Sequence, residues 1–89
     1  MATLFVRHQV ADYAAWRQVY DALGPTQKAL GVTASAVYQA ADAANDVTVT
    51  HEFATLEAAQ AFVASAELRT AMHEAGVVGA PTIWFADRA

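Results

Sequence analysis

The 89-residue chain has no cysteine, two prolines, four glycines and only five basic residues. Without cysteine there is no disulfide, no thiolate nucleophile and no zinc–thiolate centre. The bases, Arg7, Arg17, Lys28, Arg69 and Arg88, are dispersed and outnumbered by nine acids, leaving a net charge of −4. Nucleic acid and anionic membrane both demand a clustered basic face, so neither is expected as a partner. No apolar run approaches the roughly 18–20 residues of a membrane span. The opening Met1-Ala2-Thr3-Leu4-Phe5-Val6-Arg7 has neither the basic region nor the long apolar core of a secretory signal, and the expected location is cytoplasmic. There is no Gly-x-x-x-x-Gly-Lys phosphate loop, no dinucleotide fingerprint and no nucleophile elbow. His51-Glu52 and His73-Glu74 lack the second histidine of a zinc-protease helix, and no metal is expected.

Large apolar side chains are also scarce. The chain is 56% hydrophobic, yet 23 residues are alanine, and Leu, Ile, Val and Phe together supply 20. Residues 1–89 suffice for a single domain, which at this size buries only about 60–70% of its unfolded surface. A second subunit would add the burial that one copy lacks.

Thr3 to Val10 alternates as a strand, with Leu4, Val6, His8 and Val10 on one side. Asp12 is placed to cap a helix on which Tyr13, Trp16, Val19, Tyr20 and Leu23 form one apolar stripe. Gly24-Pro25 breaks that helix, Thr26 to Leu30 restarts it, and Gly31 ends it. Ala34–Gln39 and Val47–Phe53 read as the strands of a hairpin around a turn at Asp42–Asp46. Thr55 caps a helix carrying Leu56, Ala59, Phe62 and Val63, and Ser65 caps a continuation carrying Leu68, Ala71, Met72 and Ala75 to Gly76. Thr82–Ala86 is the last strand. This order predicts an α+β, ferredoxin-like βαββαβ fold: a four-stranded antiparallel sheet with the helices on one face and the first and third strands central.

The parity of Leu4, Val6, Val47, Val49 and Phe53 is assigned to the helices. The opposite parity is expected to carry Phe5, Val37, Ile83 and Phe85 on a face that no helix covers. A monomer seldom exposes such a patch, so a homodimer packed sheet to sheet is predicted.

The stretch Val6-Arg7-His8-Gln9-Val10-Ala11-Asp12-Tyr13, followed by Trp16 and Tyr20-Asp21, resembles small bacterial proteins of the dimeric α+β barrel superfamily that are antibiotic-biosynthesis-monooxygenase-like or cyclase-like. The resemblance runs on through Val47 to Phe53, Leu56 to Ala59, Glu67-Leu68-Arg69 and Met72 to Phe85. It implies a barrel-forming dimer with a cleft between helices and sheet, able to take an aromatic substrate. Cofactor-free oxygenases of this group use Asn, Trp and Arg or His in that cleft, whereas the only Asn here is Asn45, in the expected turn. The haem-degrading branch pairs a first-strand Asn with a Trp and a His. Here Phe62 stands near the Trp place and His73 near the His place, without the Asn, so no cofactor is implied.

His8 and His51 both fall in the helix-facing parity of the central strands. A polar ring there must be hydrogen-bonded or costs stability, and two of them suggest a pocket. In the plain structural alternative each bonds a backbone carbonyl or a helix side chain. In the functional one a neutral imidazole takes a proton from a phenol-like substrate, desolvation keeping both rings neutral near pH 7. His8 is then the base or orienting group and His51 assists it. Trp16, Tyr20, Tyr38, Phe62, His73 and Trp84 are candidate walls or rim for a small hydrophobic or aromatic ligand, although core filling explains the aromatics equally well. The function so expected is a cofactor-independent monooxygenase acting on a small phenolic or polyketide-like aromatic. A non-catalytic ligand-binding or stress-related homodimer, or a polyketide-type cyclase, are the alternatives.

Overall fold

A computed structural model describes all of residues 1–89. Chain order runs β1 (Ala2–Val10), α1 (Tyr13–Ala22), α2 (Gly24–Ala29), β2 (Val32–Ala40), β3 (Ala43–Phe53), α3 (Leu56–Val63), α4 (Ala66–Glu74) and β4 (Val77–Asp87). The strands make one sheet in the order β2-β3-β1-β4, and every neighbouring pair is antiparallel. This is the expected βαββαβ fold, with each helical crossover divided into two short helices. No helix is long and apolar enough to cross a membrane.

The divisions lie where the sequence placed them. Asp12, Thr55 and Ser65 each accept a hydrogen bond from the backbone N–H three residues on, at Ala15, Ala58 and Leu68 respectively. Each cap meets a donor the first helical turn leaves free. Pro25 opens α2, where its missing N–H costs nothing. Gly31 ends that helical segment at φ +100°, a conformation that side-chain-bearing residues avoid.

Two boundaries differ from the sequence reading. The hairpin turn is confined to Ala41 and Asp42, and β3 already begins at Ala43. The polar residues that suggested a longer turn serve neighbouring elements. Asn45 accepts from the N–H of Tyr13 (3.0 Å) and donates to the carbonyl of Ala11 (3.4 Å). Asp46 pairs with Gln9 in the ladder and receives a two-pronged bond from Arg7 at 3.0 and 2.6 Å. The last strand begins at Val77 rather than Thr82, because a register shift against β1 admits Gly79 (φ +73°) and Pro81. As an edge strand, β4 tolerates a residue without an N–H.

The parity expected for the central strands holds: Leu4, Val6, Val47, Val49 and Phe53 are buried under the helices. The parity expected for both edge strands is reversed. Val37 stands beside Val49, Ile83 beside Val6 and Phe85 beside Leu4, so all three join the helix-facing side. Trp84 stands beside Phe5, and Tyr38 beside Thr48, on the open face. Both parities of these strands carry bulky apolar residues, so alternation cannot set their phase; only cross-strand register does. The open face consequently presents a parallel stack of Phe5 and Trp84 (centroids 5.1 Å apart, 4° between planes), with Tyr38 and Val78 exposed.

Phe53 and Phe62 anchor the core, both essentially inaccessible, with centroids 5.4 Å apart. Phe53→Ala is expected to lower unfolding free energy by about 3–5 kcal/mol, because the cavity cannot collapse between sheet and helix. Urea denaturation measures the shift; a loss below about 1 kcal/mol would contradict this packing.

Candidate functional site

The β1–β3 pairing sets the positions of the two histidines. His8 lies opposite Val47 and His51 opposite Leu4, four residues further along the pair. At about 3.3 Å per residue their backbones are about 13 Å apart along the strands. Both rings point toward the helices and are buried, with His8 6% and His51 2% exposed. They are not adjacent, but they line one cleft with Val6 and Val49 between them.

The roof of the cleft is the α1 stripe. Trp16 lies 5.7 Å from the His8 ring, Tyr20 stacks on Trp16 at 4.9 Å, and Tyr20 lies 6.2 Å from His51. Arg17 covers Tyr20 from outside, with its guanidinium 5.5 Å from the ring centre, and bonds Asp21 and the Tyr13 hydroxyl. Leu68, Met72 and Ala75 of the α4 segment complete the apolar wall.

Of the other expected site residues, Phe62 supports His51 from behind at 5.2 Å and does not line the cleft. His73 is exposed on α4 and stays outside it, because Met72 takes the inward position of that turn. Tyr38 and Trp84 are on the opposite face of the sheet, as the edge-strand register dictates, and cannot reach the cleft. No group of three or more His, Cys, Asp or Glu side chains forms anywhere in the fold.

Sequence reasoning missed Gln27. It continues the stripe of Trp16, Tyr20 and Leu23 at helical spacing across the Gly24-Pro25 break, a signal hidden by treating the restarted helix separately. Its side chain is buried to 5% and lines the same cleft.

The polar atoms of this cleft have no protein partners. Both nitrogens of His8, both of His51, the Tyr20 hydroxyl and the Gln27 amide nitrogen are enclosed without a protein hydrogen bond. They are all the buried side-chain polar atoms of the molecule in that condition, and they share one space. Buried polar groups are otherwise almost always paired, so such a concentration marks a place where a polar guest or water is held.

The cleft offers a volume of about 40 Å³. That suits a few waters, whereas a cavity of about 150 Å³ accommodates benzene. Val19, Leu23 and Ala71 separate it from an outer groove of about 400 Å³ between α1 and α4, bordered by Glu67 and Glu74. Displacing those three side chains joins the two spaces.

Burial pushes the His51 imidazole down to about 4, and lowers that of His8 while the Asp46 carboxylate acts in the other direction. Arg7, bonded to both Asp46 oxygens, holds that carboxyl below its ordinary range, so it stays charged. Near pH 7 the cleft thus contains two neutral imidazoles, each one donor and one acceptor.

Lowered histidine pKa values make the unfolded chain bind protons first as pH falls. Stability is therefore undiminished above about pH 6.5 and declines on acidification toward about pH 4, with His51 alone accounting for a loss on the order of 3 kcal/mol. Thermal melts from pH 8 to 4 check this, and His51→Phe should flatten the profile across that window. An unchanged profile would show that His51 is protonated as readily folded as unfolded.

No protein-family model and no curated protein matches the sequence. Solved structures do match the fold. A candidate antibiotic biosynthesis monooxygenase of Bordetella bronchiseptica aligns with TM-score 0.86 at 13% identity, covering 99% of this chain and 96% of its own. A second, of Caulobacter crescentus, gives 0.78 at 18% identity over 99% and 89%. SnoaB, a cofactor-independent oxygenase of Streptomyces nogalater, gives 0.76 at 13% identity over 99% and 94%. The likeness is one of fold, and it is the antibiotic-biosynthesis-monooxygenase-like fold that the sequence resembled.

Proposed function

We propose, from this fold and the cleft beneath its helices, that the protein is a cofactor-independent monooxygenase acting on a small phenolic or polyketide-like aromatic. The observation that carries the reading is the convergence of six unpartnered polar atoms on one otherwise apolar cleft. The fold shared with SnoaB supports it. His8 is the base: its ring is neutral and buried, and the charged Asp46 nearby steadies the imidazolium that forms on proton uptake. His51 assists as a neutral hydrogen-bonding group, and Trp16 and Tyr20 provide the flat wall.

In the reaction so assigned, a carbon–hydrogen bond of an activated ring methylene breaks, its proton passes to His8, and the electron pair remains on the ring. Dioxygen takes up those electrons as the new carbon–oxygen bond forms, and the resulting peroxide recovers the proton from His8. Loss of water across the O–O and remaining C–H bonds leaves a carbonyl. One methylene and one dioxygen become one carbonyl and one water. Parting of the α1–α4 seam at Val19, Leu23 and Ala71, the side chains that line both spaces, would widen the cleft to admit a ring.

The small size of the cleft favours a second reading, a non-catalytic homodimer whose histidines are bridged by water until a small ligand displaces it. Oxygen uptake with a panel of hydroquinones and anthrones separates the two. His8→Ala should reduce uptake by about 100-fold or more. Unchanged turnover would remove His8 as base, and no uptake by either protein would leave the binding reading. Turnover without oxygen would point to a cyclase.

In either reading a second copy covers the open face over the Phe5–Trp84 stack, Tyr38 and Val78. Light scattering is expected to give twice the 9.5 kDa chain mass, and Trp84→Arg to give the monomer. A monomeric wild type would exclude this pairing.

A further inference from the structure

A polar residue that the base chemistry leaves unused stands at the far end of the cleft. Gln27 is one of only four buried polar or charged side chains, and its amide nitrogen is wholly enclosed without a partner. A buried amide donor left unmet weakens the fold, and Leu or Met would fill the same volume without that cost. Gln27 and Ser35, the cross-strand neighbour of His51, line one outer groove, which places Gln27 toward the His51 end. Tyr20 belongs to the same end, 6.2 Å from His51, with its hydroxyl equally enclosed and unpartnered. His8 and Trp16 occupy the other end.

The cleft therefore has a base at one end, two neutral donors at the other and apolar walls between. We propose that Gln27 and Tyr20 form a donor pair that holds the oxygen on which the ligand's negative charge settles. Together they select an aromatic whose acidic hydrogen and electron-accepting oxygen lie at opposite ends of one conjugated ring. This rests on the reading of the cleft as a phenolic site given above. Removing a proton at one end of such a ring places the charge on the oxygen at the other, where a preorganised donor counts most. Gln27 and Tyr20 are both uncharged donors, the Arg17 guanidinium lies outside over the Tyr20 ring at 5.5 Å, and Glu67 and Glu74 at the mouth disfavour entry of an anion. The site thus binds its ligand neutral and ionises it inside.

The probe is 4-nitrophenol, whose proton and accepting oxygens are at opposite ends and whose anion is coloured. Bound to the wild-type protein, it should ionise at lower pH than in the presence of Gln27→Leu or Tyr20→Phe, each of which should reduce the bound anion-to-phenol ratio about tenfold. Gln27→Leu should melt no lower than wild type, since an unmet donor has been removed; Gln27→Met gives the same readout should the branched side chain fit poorly. A meta-substituted nitrophenol should show no dependence on residue 27. Equal ionisation in wild type and Gln27→Leu, or no binding of 4-nitrophenol by the wild type, overturns the donor pair. Oxygen uptake on the hydroquinone and anthrone panel is scored separately. Uptake that persists while residue 27 has no effect sinks only the donor pair, and a residue-27 effect without any uptake sinks only the oxygenase.

Discussion

Two imidazole rings held beneath a helix layer without protein hydrogen bonds are the constraint on which this molecule turns. A domain of this size has a total stability of about 5–15 kcal/mol. Leaving several buried donors and acceptors unmet would consume much of that. The rings are tolerable because they are neutral: desolvation lowers both, so neither brings a buried charge into the core. Neutrality also makes them chemically useful, since only the unprotonated ring accepts a proton. The same burial that strains the fold prepares the site.

The remaining architecture follows from a sheet covered on one side. The central strands devote one parity to the helices, and Leu4, Val6, Val47, Val49 and Phe53 occupy it with the two histidines. Their other parity is mixed, and of its charged residues Arg7, Asp46 and Glu52 the first two form an ion pair. That pair lies close to the surface, so its own contribution to stability is small. Its consequence is electrostatic: it keeps a carboxylate charged near His8 and distinguishes that ring from His51. Two histidines in similar burial thereby acquire different characters.

Direction along the cleft follows from this difference. The Asp46-influenced ring stands with Trp16, and the more deeply buried ring stands with Tyr20 and Gln27. An elongated guest placed between them meets an acceptor at one end and donors at the other. Access depends on α1 and α4, short helices whose facing side chains at the seam are Val19, Leu23 and Ala71. Small and flexible contacts of this kind part more readily than the Phe53–Phe62 anchor below.

Local signals determined a good deal. Asp12, Thr55 and Ser65 each announce a helix start, Gly24-Pro25 announces a break, and each does so through bonds made within a few residues. Alternation in the two central strands was also decisive, because one of their faces is strongly apolar and the other is polar, which placed His8 and His51 inward. The edge strands carried no such contrast. Val37 and Tyr38, or Phe85 and Trp84, are equally at home in an apolar environment, and only their partners across the ladder decided which way each points. Gln27 escaped notice for a related reason: a polar residue beyond a proline break declares its burial only when the second helix is seen folding back over the sheet. Sequence fixes what depends on neighbours along the chain, and tertiary structure decides what depends on neighbours across it, because a side chain's surroundings are set by strand register and helix placement rather than by its own chemistry.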